Sequence, residues 1–119
     1  MENAAGLSMT EARFKAAFVA MTPDADPDRH RCIVRTPMYE LTSILVKNEE
    51  EAIWMCKELV EEDGVQSFIL CPGFTNKGVA IISEAVGEGV SVNVARGDGP
   101  SNVIARRAME EAGFFSRRG

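Results

Sequence analysis

The stretch Phe14-Lys15-Ala16-Ala17-Phe18-Val19-Ala20-Met21 decides the fold. After its single lysine every position is apolar, so neither of a strand's two alternating faces is left polar. Such a run predicts a central strand covered on both sides of a sheet, the usual setting of parallel strands joined by helices.

Outward from this strand, turn formers and apolar runs alternate. Thr22-Pro23-Asp24-Ala25-Asp26-Pro27-Asp28 is a turn-rich stretch in which Asp26, Pro27 and Asp28 suit a helix cap and first turn. The reading is a short helix over residues 27–34, with Cys32 on its packing face, stopped at Thr36-Pro37. Leu41-Thr42-Ser43-Ile44-Leu45-Val46 makes a second strand. Asn48 then caps a helix with three acids in its first turn and Glu51 at the capping-box position. Ala52, Ile53, Cys56, Leu59 and Val60 recur at helical spacing until Gly64 closes it, with Trp54 and Met55 flanking the stripe.

A third strand over residues 67–71 ends at Pro72-Gly73. Thr75 or Asn76 caps the next helix, in which Val79, Ile82 and Val86 share a face and Gly87 is the stop. The alternating run at residues 90–95 reads as a fourth strand toward a sheet edge. Arg96-Gly97-Asp98-Gly99-Pro100 leads into a last helix that Gly113 ends.

The fold expected is therefore α/β: a single three-layer domain over residues 14–119, built from four βα units around a mostly parallel four-stranded sheet. In the order of the four strands along the chain the expected arrangement is 2-1-3-4, with a half-barrel as the alternative. Residues 1–13 lack periodicity and read as a loose leader.

Composition narrows the partners. The chain has 119 residues, a hydrophobic share of 45 % and a charged share of 26 %, ordinary for one globular domain. Its net charge is −5 and no basic run exceeds two residues, which speaks against nucleic acid. Three unpatterned cysteines argue against a disulfide framework, and no window reaches the length of a membrane span. A cytoplasmic protein is expected, with no membrane partner.

In a parallel sheet, ligands sit beyond the carboxyl ends of the strands, where helix N-termini offer free amides. That edge gathers Thr22, Asp24, Gly73, Phe74, Arg96, Gly97, Asp98, Gly99 and Ser101 as candidate ligand-binding residues for a small anionic molecule. The Arg96 loop reads GxGxxN where a dinucleotide fingerprint needs GxGxxG, and no strand follows it, so no nicotinamide cofactor is expected. Asp24, Asp26, Asp28 and His30 alternate, but Pro27, Arg29 and Arg35 stand where a calcium loop needs other residues, so no metal is expected either. His30, the one histidine, is a candidate acid or base, and Cys71, at a strand end before a helix, a candidate nucleophile. Phe114-Phe115 after the last helix point to burial against a second subunit, hence a homo-oligomer.

Several of these residues carry a resemblance. Met21-Thr22-Pro23 with Ala25-Asp26-Pro27 and His30-Arg31, Thr36-Pro37 with Glu40-Leu41, Glu50-Glu51-Ala52, and Cys71 with Gly73-Phe74 before Gly78-Val79-Ala80 resemble a family of short bacterial and archaeal proteins known only as a domain of unknown function. The chain departs from that pattern at Pro72 and at residues 96–100. The resemblance implies a domain boundary near Phe14 and draws attention to His30 and Cys71, and it names no reaction. Three readings follow: an oligomeric α/β protein binding a small anionic metabolite, a small cofactor-independent enzyme of lyase or isomerase type with His30 as acid or base, and a structural or regulatory interaction subunit.

Overall fold

A computed structural model describes residues 12–116 of the chain. Among these residues the fold is α/β, with a mixed five-stranded sheet and three helices. The elements run β1 (Phe14–Met21), β2 (Arg31–Arg35), β3 (Tyr39–Val46), α1 (Glu49–Asp63), β4 (Ser67–Leu70), α2 (Asn76–Val86), β5 (Ser91–Val94) and α3 (Gly99–Ala112). All but the last two residues of the leader expected over 1–13 lie outside the described residues.

The sheet order is β2-β3-β1-β4-β5, with β3, β1, β4 and β5 parallel and β2 antiparallel to β3. The expectation of a mostly parallel four-stranded sheet in the order 2-1-3-4 is corrected by β2, which makes the sheet five-stranded and mixed. The short helix expected over residues 27–34 is instead a turn followed by this strand. Asp26 does start a turn there: its Oδ1 accepts from Asp28 N at 3.1 Å and its carbonyl from His30 N at 2.8 Å. Arg31-Cys32-Ile33-Val34-Arg35 then favours strand geometry through its β-branched pair. Thr36 closes the hairpin, its Oγ1 accepting from Met38 N and Tyr39 N at 3.2 and 3.0 Å. Arg35 and Glu40 thereby stand opposite each other, and the Arg35 Nε donates to the buried Glu40 carboxylate at 2.7 Å.

The second correction concerns layers. From β3 the chain crosses β1 to reach β4, and from β4 it steps on in the same direction to β5. Right-handed crossovers taken twice in one direction place both helices on the same face. Accordingly α1 and α2 pack on each other. Ala52, Met55, Cys56 and Leu59 of α1 and Ile82 of α2 join Ala17, Val19, Ile44, Val46, Phe68 and Leu70 in one core. These sheet residues share a face by alternation and register. Among the described residues there are therefore two layers where three are expected, and the other sheet face carries no helix.

That open face has a composition of its own. Phe14, Ala16, Phe18 and Ala20 of β1 lie beside Tyr39, Leu41, Ser43 and Leu45 of β3, with Cys32 and Val34 of β2, Ser67 and Ile69 of β4, and Ser91 and Asn93 of β5. No charged residue stands on it. Leu45, Ile69 and Phe14 are 37 %, 38 % and 47 % exposed.

The helix ends are well defined. Asn48 Oδ1 accepts from Glu51 N at 2.8 Å, and Glu51 Oε1 reaches back past the cap to accept from Lys47 N, where a capping box would take the N–H of Asn48 itself. Gly64 ends α1 in the left-handed region, φ 72°, where a side chain would be strained. Lys15 Nζ donates to the Asp63 carbonyl at 2.9 Å, giving the carboxyl end of α1 a cation from β1. Helix α3 differs from the other two: none of its residues is buried, and the molecule extends 53 Å along its longest axis against 28 and 26 Å across.

The single-face packing of α2 has a direct consequence. Ile82→Ala, at a fully buried position, is expected to lower the unfolding free energy by about 2–5 kcal/mol. Ile81→Ala, next to it on the outer side, should cost under about 1 kcal/mol. Urea denaturation of the two variants checks this.

Candidate functional site

The carboxyl edge of the parallel strands holds the candidate residues, and their spacing follows from strand order. His30 precedes β2 and is held there by Leu45 N, which donates to its carbonyl at 3.0 Å. Its Nδ1 accepts from Asp26 N at 2.9 Å, leaving Nε2 toward solvent on an exposed ring. Cys71 follows β4, with β3 and β1 between the two positions. Three strand spacings of ~4.8 Å put them roughly 14 Å apart, outside hydrogen-bond reach. The structure thus does not bring His30 and Cys71 together as a nucleophile and its base.

It does bring together the loops after β1, β4 and β5. An ideal Cβ on Gly73 would meet Met21 Cε at 3.2 Å and Cys71 Sγ at 3.6 Å. Phe74 turns inward and is fully buried in the core. Arg96 reaches back across the edge, Nη1 donating to the carbonyls of Pro72 and Phe74 at 3.0 and 2.7 Å and Nη2 to Asn76 Oδ1 at 2.9 Å. Its guanidinium spans the β4–α2 loop as a clamp. Thr22 Oγ1 donates to Asp24 Oδ1 at 2.7 Å. Gly97 lies under the side chain of Asn102, which a Cβ there would strike, while Asp98, Gly99 and Ser101 are exposed at the start of α3.

One residue at this edge escaped the reading of the sequence. Glu49, in the first turn of α1, extends its carboxylate to the N-terminus of α2, where Oε2 accepts from Thr75 N at 2.7 Å and from Thr75 Oγ1 at 3.0 Å. Thr75 Oγ1 in turn accepts from Gly78 N at 2.9 Å. An ideal Cβ on Gly78 would lie 2.5 Å from the Glu49 carboxylate, so the absence of a side chain there makes room for the acid. The anion that a helix N-terminus attracts is thus supplied from within the chain. In the sequence Glu49 is one of three consecutive acids, and nothing local separates it from Glu50 and Glu51.

The cysteines divide by setting. Cys32 is exposed on β2, not packed on a helix, Cys71 is half-buried and Cys56 is buried beneath α1. Burial pushes the Cys56 thiol up from its ordinary 9.0 to about 12. An open hollow of about 540 Å³ lies on the outer side of α2, lined by Lys77, Ala80, Ile81, Glu84 and Glu88 among others, and none of the candidate residues borders it. Among the described residues no helix is long and apolar enough to cross a membrane.

Two outcomes are expected. Glu49→Ala leaves Thr75 N without its acceptor and should destabilise the fold by about 1–2 kcal/mol in urea denaturation, with the loss restored in part by Glu49→Asp only if the shorter side chain still reaches. For Cys56, the unfolded chain ionises near pH 9 while the folded chain holds its proton to about pH 12. The unfolded state then binds fewer protons in that window, so the thiol's contribution, complete below pH 9, is lost as pH rises. Unfolding free energy measured between about pH 8.5 and about pH 10.5 should fall less steeply in Cys56→Ala than in the wild type.

No curated protein and no solved structure matches the chain. A family profile described as a family of unknown function, DUF6506, matches residues 14–110, from the first residue of β1 to near the end of α3. With most of its length matched, and all five strands and three helices within or overlapping the matched span, the chain belongs to this family of unknown function, DUF6506.

Proposed function

We propose that the chain works as an interaction subunit whose working surface is the open face of its sheet, buried against a second copy of itself. The observation that carries this reading is the uncharged composition of that face beside its exposure. Five strands at ~4.8 Å and an average run of about six residues at ~3.3 Å give a face of roughly 450 Å². Its apolar part, made by Phe14, Phe18, Val34, Leu41, Leu45 and Ile69, makes this face a candidate for the largest apolar patch of the chain, a kind of surface that is often functional. The rest of the surface is rich in charge, as the net charge of −5 and the acids on the outer side of α1 attest.

The carboxyl edge supports a ligand reading less well. Arg96 is spent on two carbonyls and an amide, the amino end of α2 is occupied by Glu49, and that of α1 is closed by Asn48 and Glu51. Binding of a small anion and catalysis by His30 both need groups at this edge to be free and convergent.

Sedimentation equilibrium at about 100 μM, where even micromolar association is saturated, is expected to give twice the chain mass or a higher multiple. Ile69→Lys places a charge in the middle of the open face, at a position already 38 % exposed in the single chain, so the fold should tolerate it. That variant is expected to sediment as a folded monomer. A wild-type protein that stays monomeric at this concentration would overturn the reading.

A further inference from the structure

Strand β2 is an outer strand of the sheet, and only one of its two rows of main-chain groups is paired. Leu45 N donates to the His30 carbonyl at 3.0 Å, and Thr36 N donates to the Tyr39 carbonyl at 2.8 Å. Bonded positions recur at every second residue of an antiparallel pair, so Cys32 and Val34 also turn their main chain to β3. Arg31, Ile33 and Arg35 turn theirs to the outside. We propose that this row is a docking edge, which takes an extended segment of another protein as an added strand with acidic side chains opposite Arg31 and Arg35.

The edge lacks the usual devices that blunt one. Natural sheets protect an outer strand with a proline, a bulge or a covering segment. The register of β2 with β3 runs unbroken from Arg31 opposite Ile44 to Arg35 opposite Glu40, no proline interrupts it, and Ile33 and Val34 at its centre are exposed. Its arginines are drawn back toward their own chain, Arg31 Nε donating to the Pro27 carbonyl at 2.8 Å and Arg35 Nε to Glu40 Oε1 at 2.7 Å. Each guanidinium is thus held by its Nε, and the Nη groups of Arg35, on a half-exposed side chain, remain to receive a carboxylate. The opposite edge is poorer. Ser91 N and Ala95 N bond to β4, which leaves only Val92 and Val94 of β5 facing outward, with α2 packed beside that strand.

Charge decides which strand fits. Side chains directly opposed on neighbouring strands lie ~5 Å apart, where opposite charges attract and like charges destabilise the pair. An added strand sets three alternate residues against Arg31, Ile33 and Arg35, so it is favoured by carboxylates at the outer two and a β-branched residue between them. The same rule disfavours a second copy of β2. Two such strands paired antiparallel through all three outward residues would set Arg31 against Arg35 twice. The partner is therefore an acidic segment of a different protein. The edge is also separate from the open face, where β2 contributes only Cys32 and Val34.

The probe is a short peptide with blocked ends, Thr-Glu-Thr-Val-Thr-Glu-Thr, titrated into the isotope-labelled full chain. The amide resonances of Arg31, Ile33 and Arg35 are expected to shift together, and to gain protection from hydrogen exchange, as the peptide approaches about 1 mM. A peptide with lysine in place of both glutamates should bind the wild type at least about tenfold more weakly. Ile33→Pro removes the central outward donor without removing a bond to β3, a place where an edge strand tolerates proline, and should weaken the glutamate peptide by a similar factor. Equal binding of the lysine peptide, or no shift of the three amides, overturns the proposal; both readings use the wild type and so stand whether or not the proline variant folds. Unchanged binding to a folded Ile33→Pro also overturns it. Protection of the same three amides in the protein alone, lost on dilution, gives the edge to a second copy and overturns the acidic partner.

Discussion

The handedness of two crossovers governs this molecule. Because the chain moves from β3 over β1 to β4 and on to β5 without reversing, α1 and α2 fall on one face and leave the other bare. A chain that doubled back at either step would have placed its helices on both faces. Here the central strand has Val19 in a dry core on one side and the half-buried Phe18 on the helix-free side, so the same eight residues define both the core and the open face. Stability of the folded unit then rests on a single layer of helix-on-sheet packing, with Phe68, Phe74, Leu59 and Ile82 as its largest buried members.

The carboxyl edge in this fold is cross-linked by its own side chains. In a doubly covered parallel sheet that edge usually has free amides and a crevice where helices part to either side. With both helices on one face there is no such parting, and Glu49 takes the amino end of α2 while Arg96 binds the carbonyls of the loop before it. These two residues tie α1 to α2 and β5 to β4 at the point where a ligand would otherwise enter. The pair supplies an internal anion at the amino end of α2 and an internal cation on the loop before it.

Much of the fold was legible because its signals were local. Asn48 with Glu51, Thr75 with Gly78, and the glycines at 64, 87 and 113 mark helix ends through contacts that span three or four residues. The strand at residues 31–35 was hidden for a reason of the same kind. Asp26-Pro27-Asp28 is chemically a helix start, and the structure uses it as a turn because Thr36 and the Arg35–Glu40 pair offer the following residues a hairpin with β3. Local capping chemistry lost to a cross-strand pairing that only tertiary structure reveals. Glu49 was hidden because its partner Thr75 lies 26 residues away.

The face of β1 carries the deeper lesson about what apolar alternation means. Ala16, Phe18 and Ala20 are as apolar as Ala17 and Val19, but only the second set packs beneath the chain's own helix layer. Hydrophobicity specifies that a surface is covered and is silent on which molecule covers it. Reading both faces of β1 as buried within one domain assumed that the cover had to come from the same chain. On the charge-free face that assumption fails, because α1 and α2 both lie on the other side of the sheet and no residue of α3 is buried.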